Sequence, residues 1–249
     1  QYFKKTAKWD VEKARFWAAT AQGNVRKIHS GIVGTVVDRY KDIVLADLDA
    51  VDFGENMDIL EERWNEIFEG SKLNDVIGDA IVGALSSGDG AFKITADECS
   101  PYPIVEFYDA EDVDYVYEHA TLKEVKFYTS YWQNEKEFRL EETYGFGYVL
   151  YKMYDDAGKE MPLQMFPETA HLIDFGISGD LMLAVPMKFL NSTKYKKQKR
   201  GKALFEGKTD VLDGRDEVIS QWIDAIRMGR IKRYIPDNLI PRDQTTGEL

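Results

Sequence analysis

The sequence predicts an α+β protein with a helical N-terminal part, a mostly antiparallel β region and a long C-terminal helix. Three observations carry that expectation. Apolar residues recur every three to four positions up to Leu85, the period drops to two from Ala91, and the helical period returns at Thr209 and runs to about Tyr234.

Taken in order, Val11–Gln22 places Ala14, Phe16, Trp17 and Ala21 near helical spacing, and Gly23-Asn24 ends that helix. Val25–Ser30 reads as an extended link. Ile32, Val33, Val36, Val37, Tyr40, Ile43 and Val44 then form one stripe, expected to be the buried face of a helix. Met57–Phe68 is helical, with Leu60, Trp64, Ile67 and Phe68 on one side. Leu73, Val76, Ile77, Ala80, Ile81, Ala84 and Leu85 mark a strongly amphipathic helix, stopped by Ser86-Ser87-Gly88-Asp89-Gly90.

From Ala91 the alternation predicts strands at Ala91–Thr95, Ile104–Tyr108, Val125–Trp132, Glu137–Tyr144, Gly147–Tyr154 and His171–Phe175. Asp155-Asp156-Ala157-Gly158 has the composition of a hairpin turn. The last helix keeps Val211, Leu212, Val218, Ile219, Trp222, Ile223, Ile226 and Ile231 in its apolar stripe. Val218, Trp222 and Ile226 are its candidate packing residues. Its charge is polarised: Asp210, Asp213, Asp216, Glu217 and Asp224 oppose only Arg215, whereas Arg227, Arg230, Lys232 and Arg233 close the helix. Acid at the start and base at the end complement the helix dipole, by about 0.3–1 kcal/mol per well-placed charge. Ile235-Pro236-Asp237-Asn238-Leu239-Ile240-Pro241 then leads the chain away.

The 249 residues hold 32 basic and 44 acidic side chains, a net charge of −12. That balance argues against a free-standing binder of DNA or RNA that works by neutralising phosphates. The acid is concentrated in Asp42–Glu69, where ten acidic residues face Arg63 alone, which reads as a solvated face. The base is concentrated in Lys194–Lys202. Lys196, Lys197, Lys199 and Arg200 in that run are candidates for contact with DNA or an acidic neighbour, and a mobile surface loop is the alternative reading. The single Cys99 excludes an intramolecular disulfide and fits a reducing compartment. No run of about 18 apolar residues spans a membrane, and Gln1–Lys8 lacks a signal-peptide core, so the chain is expected to be soluble and intracellular when made. Gln1 is not an initiator Met and little follows Pro241, which suggests further segments.

No catalytic constellation emerges. Gly88-Asp89-Gly90 and Gly145-Phe146-Gly147 are too short to cradle phosphate, and there is no His-Glu-x-x-His, Cys-x-x-Cys or Gly-x-Ser-x-Gly. His29, His119 and His171 have no spacing that pairs one with Cys99. Asp109, Glu111, Asp112 and Asp114 are scattered carboxylates, more in keeping with a solvated rim than a cation site. The expectation is a protein without catalytic residues, metal or cofactor.

Several segments, in order, resemble the portal protein family of long-tailed bacteriophages. Asn24–Val33 is similar to the family's link entering a helix through a His-Ser-Gly-like turn. Leu73–Gly88 resembles its helix before the first wing strand. Gly201-Lys202-Ala203-Leu204-Phe205-Glu206-Gly207, running on to Asp213, resembles a Gly-x-Ser-x-Phe-x-Gly lead-in, with Ala203 in place of Ser; Asp216-Glu217 and Ile235-Pro236-Asp237 complete it. Each motif is structural and soft on its own, and their order carries the weight.

The resemblance implies three parts: a wing at residues 1–200, a first stem helix with its lead-in at 201–234, and the start of a clip at 235–249. It implies a virion protein made in the bacterial cytoplasm that assembles with itself as a ring, a dodecamer by family habit, at one capsid vertex. Double-stranded DNA would pass through without sequence readout during packaging and ejection. The terminase large subunit, the head–tail adaptor, the scaffold and the major capsid protein would be its partners, with no membrane involved. Asp213, Asp216, Glu217, Arg227 and Arg230 become candidates for channel-wall or inter-subunit charge. Two rivals remain: another head or connector structural protein, and a metal-dependent nuclease holding substrate on Lys194–Lys202.

Overall fold

The computed structural model describes residues 28–49, 51–54, 57–96, 100–192 and 199–231. The expected helix at Val11–Gln22, Cys99, Lys196, Lys197 and the Ile235–Pro241 exit lie outside them. The chain divides into two compact units, one built on Ile32–Glu206 and the other on the segment ending at Gly31 together with the chain from Gly207.

Three helices open the first unit: α1 (Ile32–Ala46), α2 (Asp58–Gly70) and α3 (Leu73–Ser87). α3 is the central one, burying Leu73, Ala80, Ile81, Ala84 and Leu85. Its Gly83 lies so close to Phe107 and Asp109 that a Cβ there would collide with both, so the glycine sets how near the helix comes to the sheet. α1 differs from its expected single buried stripe. Only Val33 and Val37 are buried, while Tyr40 and Ile43 stand 48% and 59% exposed, because α1 packs chiefly on α3, where Val37 meets Ile81 and Leu85. α2 buries no residue fully; Trp64 makes ring contacts with Phe53 and Phe68, and Ile59 is 82% exposed.

Every described strand pairing is antiparallel. β1 (Asp89–Thr95) sits between β2 (Ile104–Asp109) and β9 (Ala184–Lys188) in a small sheet. The larger sheet runs β3 (Val113–Glu118), β4 (Thr121–Gln133), β5 (Lys136–Gly145), β6 (Tyr148–Asp155) and β7 (Glu160–Met161), with β8 (Phe175–Gly176) also pairing β6. One apolar cluster spans both sheets: Ala91 and Ala184 meet Val113, Val125, Phe127, Tyr144 and Val149. A second gathers Phe138, Leu140 and Met153 under Phe166, and a third joins Val37 to Ile81 and Leu85.

Two details explain where strands stop. The expected strand at His171–Phe175 shrinks to Phe175–Gly176 because the Asp174 carboxylate accepts the Tyr151 N–H at 2.8 Å, taking the place of a main-chain partner. On β9, Ile94 N–H donates to Leu183 O at 2.9 Å, which puts Pro186 at a non-hydrogen-bonded pair with Ala91. The missing N–H of Pro186 therefore faces the open edge of the sheet and blunts it. The β6–β7 turn is closed as its composition suggests, with Asp155 Oδ1 accepting the N–H groups of Ala157 and Lys159.

The second unit contributes α4 (Thr209–Ile231) and the segment from Ile28 to Gly31. The α+β class stands, but a long stem helix is not what the structure contains. α4 is a 23-residue helix, about six turns, that makes its own side-chain contacts to Ile28–Ser30. An apolar stripe with opposed charge ends specifies an amphipathic helix, and a helix anchored on a short neighbouring segment satisfies that pattern as well as a free-standing rod does.

Candidate functional site

The densest polar arrangement of the first unit lies where α3 hands over to β1. Gly88 leaves the helix with φ +111, a backbone conformation that L side chains rarely adopt, and Asp89 starts the strand with its carboxylate buried. The Gly201 N–H donates to Asp89 Oδ2 at 2.5 Å, and Arg200 Nη2 lies 2.9 Å from Oδ1. The same guanidinium donates to the carbonyls of Val113, at 2.7 Å, and Ala110, and approaches Asp114 at 3.6 Å. It lies 5.0 Å from the centre of the Tyr115 ring, while Lys199 lies 4.4 Å from that of Tyr117 and donates to Ala120 O. Burial, and then the Asp89 charge, push both phenols above the ordinary tyrosine value. The Tyr115 hydroxyl donates to Gly90 O at 2.7 Å. A cavity of about 480 Å³ opens here, lined by Ser87, Asp89, Asp114, Tyr115, Arg200 and Glu206.

Chemically this is a clamp. Arg200 donates to two carbonyls and pairs its charge with two carboxylates, so it fixes the 199–201 crossing against both sheets. Lys199 and Arg200, singled out for a DNA or neighbour contact, are thus engaged within their own unit. Among the described residues no group of three or more His, Cys, Asp or Glu could hold a metal ion.

A second polar cluster ties the sheets together. Lys93 Nζ on β1 meets Glu142 Oε1 on β5 at 3.1 Å, Glu106 Oε2 at 3.1 Å and the Tyr108 hydroxyl at 2.8 Å. Burial alone would lower the Lys93 pKa, but Glu142, Tyr108 and Glu106 outweigh it and hold the ammonium above its ordinary value. Tyr144 donates its hydroxyl to Glu142 Oε2 at 3.4 Å and is raised by burial first and by that charge second.

In the second unit Asp216 is the hub. Its Oδ1 accepts the Ser30 hydroxyl at 2.7 Å, and its Oδ2 lies 3.4 Å from Ser30 N and 3.3 Å from His29 Nδ1. One turn on, Ser220 Oγ accepts the Ile28 N–H at 3.0 Å. Asp216, proposed as a channel charge, is therefore buried inside its own unit. Asp213 and Glu217 are half-exposed, Glu217 accepting from Gln221 at 3.0 Å, and Arg227 is exposed. Val218, Trp222 and Ile226, the candidate packing residues, stand 64%, 66% and 46% exposed. Among the described side chains, which do not include that of Arg230, the proposed charges are not gathered into one site.

In the sequence Asp89 has a place only in the helix stop, Glu142 beside Glu141 reads as a pair unable to share a metal, and Lys93 is assigned no role. A charged residue inside an apolar alternation, as Lys93 is between Phe92 and Ile94, was the available signal. No helix among the described residues is long and apolar enough to cross a membrane. No protein-family model matches the chain, and no curated protein matches it.

Proposed function

We propose that this chain is the N-terminal portion of a bacteriophage portal protein, a subunit of a ring through which double-stranded DNA is packaged and ejected at the capsid vertex. One observation carries the reading. Two of the segments that bear the resemblance, Leu73–Gly88 and Gly201–Asp213, meet at one crossing: Leu204 N–H donates to Leu85 O at 2.9 Å and Gly201 N–H to Asp89. Soft motifs far apart in sequence thereby become parts of one local structure.

The surface is in keeping with assembly. Large apolar side chains stand exposed on α1, α2 and α4, as expected of a subunit that buries them against other chains. Arg200, held by Asp89 and by the Val113 and Ala110 carbonyls, supports a structural role for the end of the basic run. On this reading the chain performs no reaction of its own, and the terminase large subunit, head–tail adaptor, scaffold and major capsid protein are its partners. Negative-stain electron microscopy of the full-length protein is the test. Closed rings with a central hole support the proposal; uniform monomers or open filaments overturn it.

A further inference from the structure

We propose that the acidic outer face of α2 in one copy docks the basic end of α4 from the next copy. The contact rests on the ring reading, because a head-to-tail contact between identical chains is what closes a ring.

The two faces are complementary in charge and alike in apolar exposure. α2 turns Ile59, Glu62, Glu66 and Glu69 to solvent, with Leu60 half-exposed beside them. Its only basic side chain, Arg63, is already taken by Glu66 at 2.6 Å. The Asp42–Glu69 segment around it carries ten acids against that one arginine. α4 is the opposite in charge at its end: Trp222, Ile226 and Arg227 are exposed, and in sequence Arg230 follows in the last turn of the helix, which holds no acid after Asp224. Each face pays a penalty when alone, apolar area in water on both and unopposed like charge on each. Joining them removes both penalties at once. A contact of a face with its own copy would set acid against acid on α2, so the α2–α4 pairing is heterologous.

The experiment follows assembly of the full-length chain by sedimentation velocity and electron microscopy, in wild type, Glu62→Lys/Glu69→Lys, Arg227→Glu, and the charge swap that combines all three changes. These side chains are exposed, and far-ultraviolet circular dichroism checks that each variant folds. Either reversal alone is expected to raise the concentration needed for half-assembly about tenfold, and the swap to bring it back most of the way. Assembly unchanged by the reversals overturns the contact and leaves the ring reading standing. So does a swap that fails to rescue. Reversals that alter the thermal stability of the dilute monomer without touching assembly point to a contact within one chain, and a loss of DNA binding by Arg227→Glu with assembly intact points to DNA as the occupant; both overturn the proposal. Open filaments that obey the swap support the contact and overturn the ring, while a wild type that stays monomeric overturns both.

Discussion

Lys93 on β1 and Glu142 on β5 bridge the two sheets at 3.1 Å, with both side chains more than nine-tenths buried. Glu106, half-exposed at the edge of the small sheet, is the ammonium's other carboxylate partner. Removing the lysine is therefore worse than removing the pair. Lys93→Met is expected to destabilise by about 3–5 kcal/mol, since it leaves the Glu142 carboxylate buried with only the Tyr144 hydroxyl. Lys93→Met/Glu142→Leu should recover much of that loss in urea denaturation.

Alkaline pH should destabilise the first unit. Tyr144, Tyr115 and Lys93 all hold their protons more tightly when folded than as free side chains. Their contribution is complete below the unfolded values of roughly 10 and 10.4. Above those values the unfolded chain sheds protons that the folded one keeps, so stability falls as pH rises, by up to about 1.4 kcal/mol per pH unit for each group. Tyr144→Phe, which has no phenol to ionise, should flatten the fall when denaturation midpoints are compared between pH 9 and 11 (values chosen to bracket roughly pH 10).

Arg200→Lys keeps the charge and loses the fork. A single ammonium cannot serve the Ala110 and Val113 carbonyls together with Asp89. A loss of about 2 kcal/mol is expected in thermal or urea denaturation. If the substitution is silent, Arg200 is not the clamp.

Asp216→Ala should release the Ile28–Ser30 segment from α4 while leaving the first unit unaffected. Losing the contacts to Ser30 and His29 is worth about 2 kcal/mol, or roughly thirtyfold faster amide hydrogen exchange across the segment. Hydrogen-exchange mass spectrometry on the two units reads this directly.

Helical elements were the most legible part of the sequence. The stop at Gly88, the start at Thr209 and the amphipathic α3 follow from local periodicity and from turn residues. Four strands appeared at nearly their observed bounds for the same reason. β9 did not, since it pairs with the distant β1 and carries Pro186 in its middle; β3 was also unread, although it pairs with β4 across the short turn at His119-Ala120. Hydrophobicity along α4 says which residues avoid water, and not which neighbour is present to cover them. Here the first-buried pair is Asp216 and Ser220, held by side-chain hydrogen bonds that no periodicity records. The clamp was hidden for a similar cause: Asp89 and Arg200 are far apart along the chain, and Arg200 sat in a basic run whose composition suggested a surface loop.

The Gly88–Gly201 crossing also comes late in chain order. A Cβ on Gly201 would strike the Gly88 carbonyl, so the two backbones touch with no side chain between them. The hydrogen bond beside that contact joins residues 112 positions apart. In chain order, α3 and the strands up to β9 all precede the segment that locks α3 to β1. Until residues 200 and 201 are in place, neither partner that reaches the buried Asp89 carboxylate from that crossing is present.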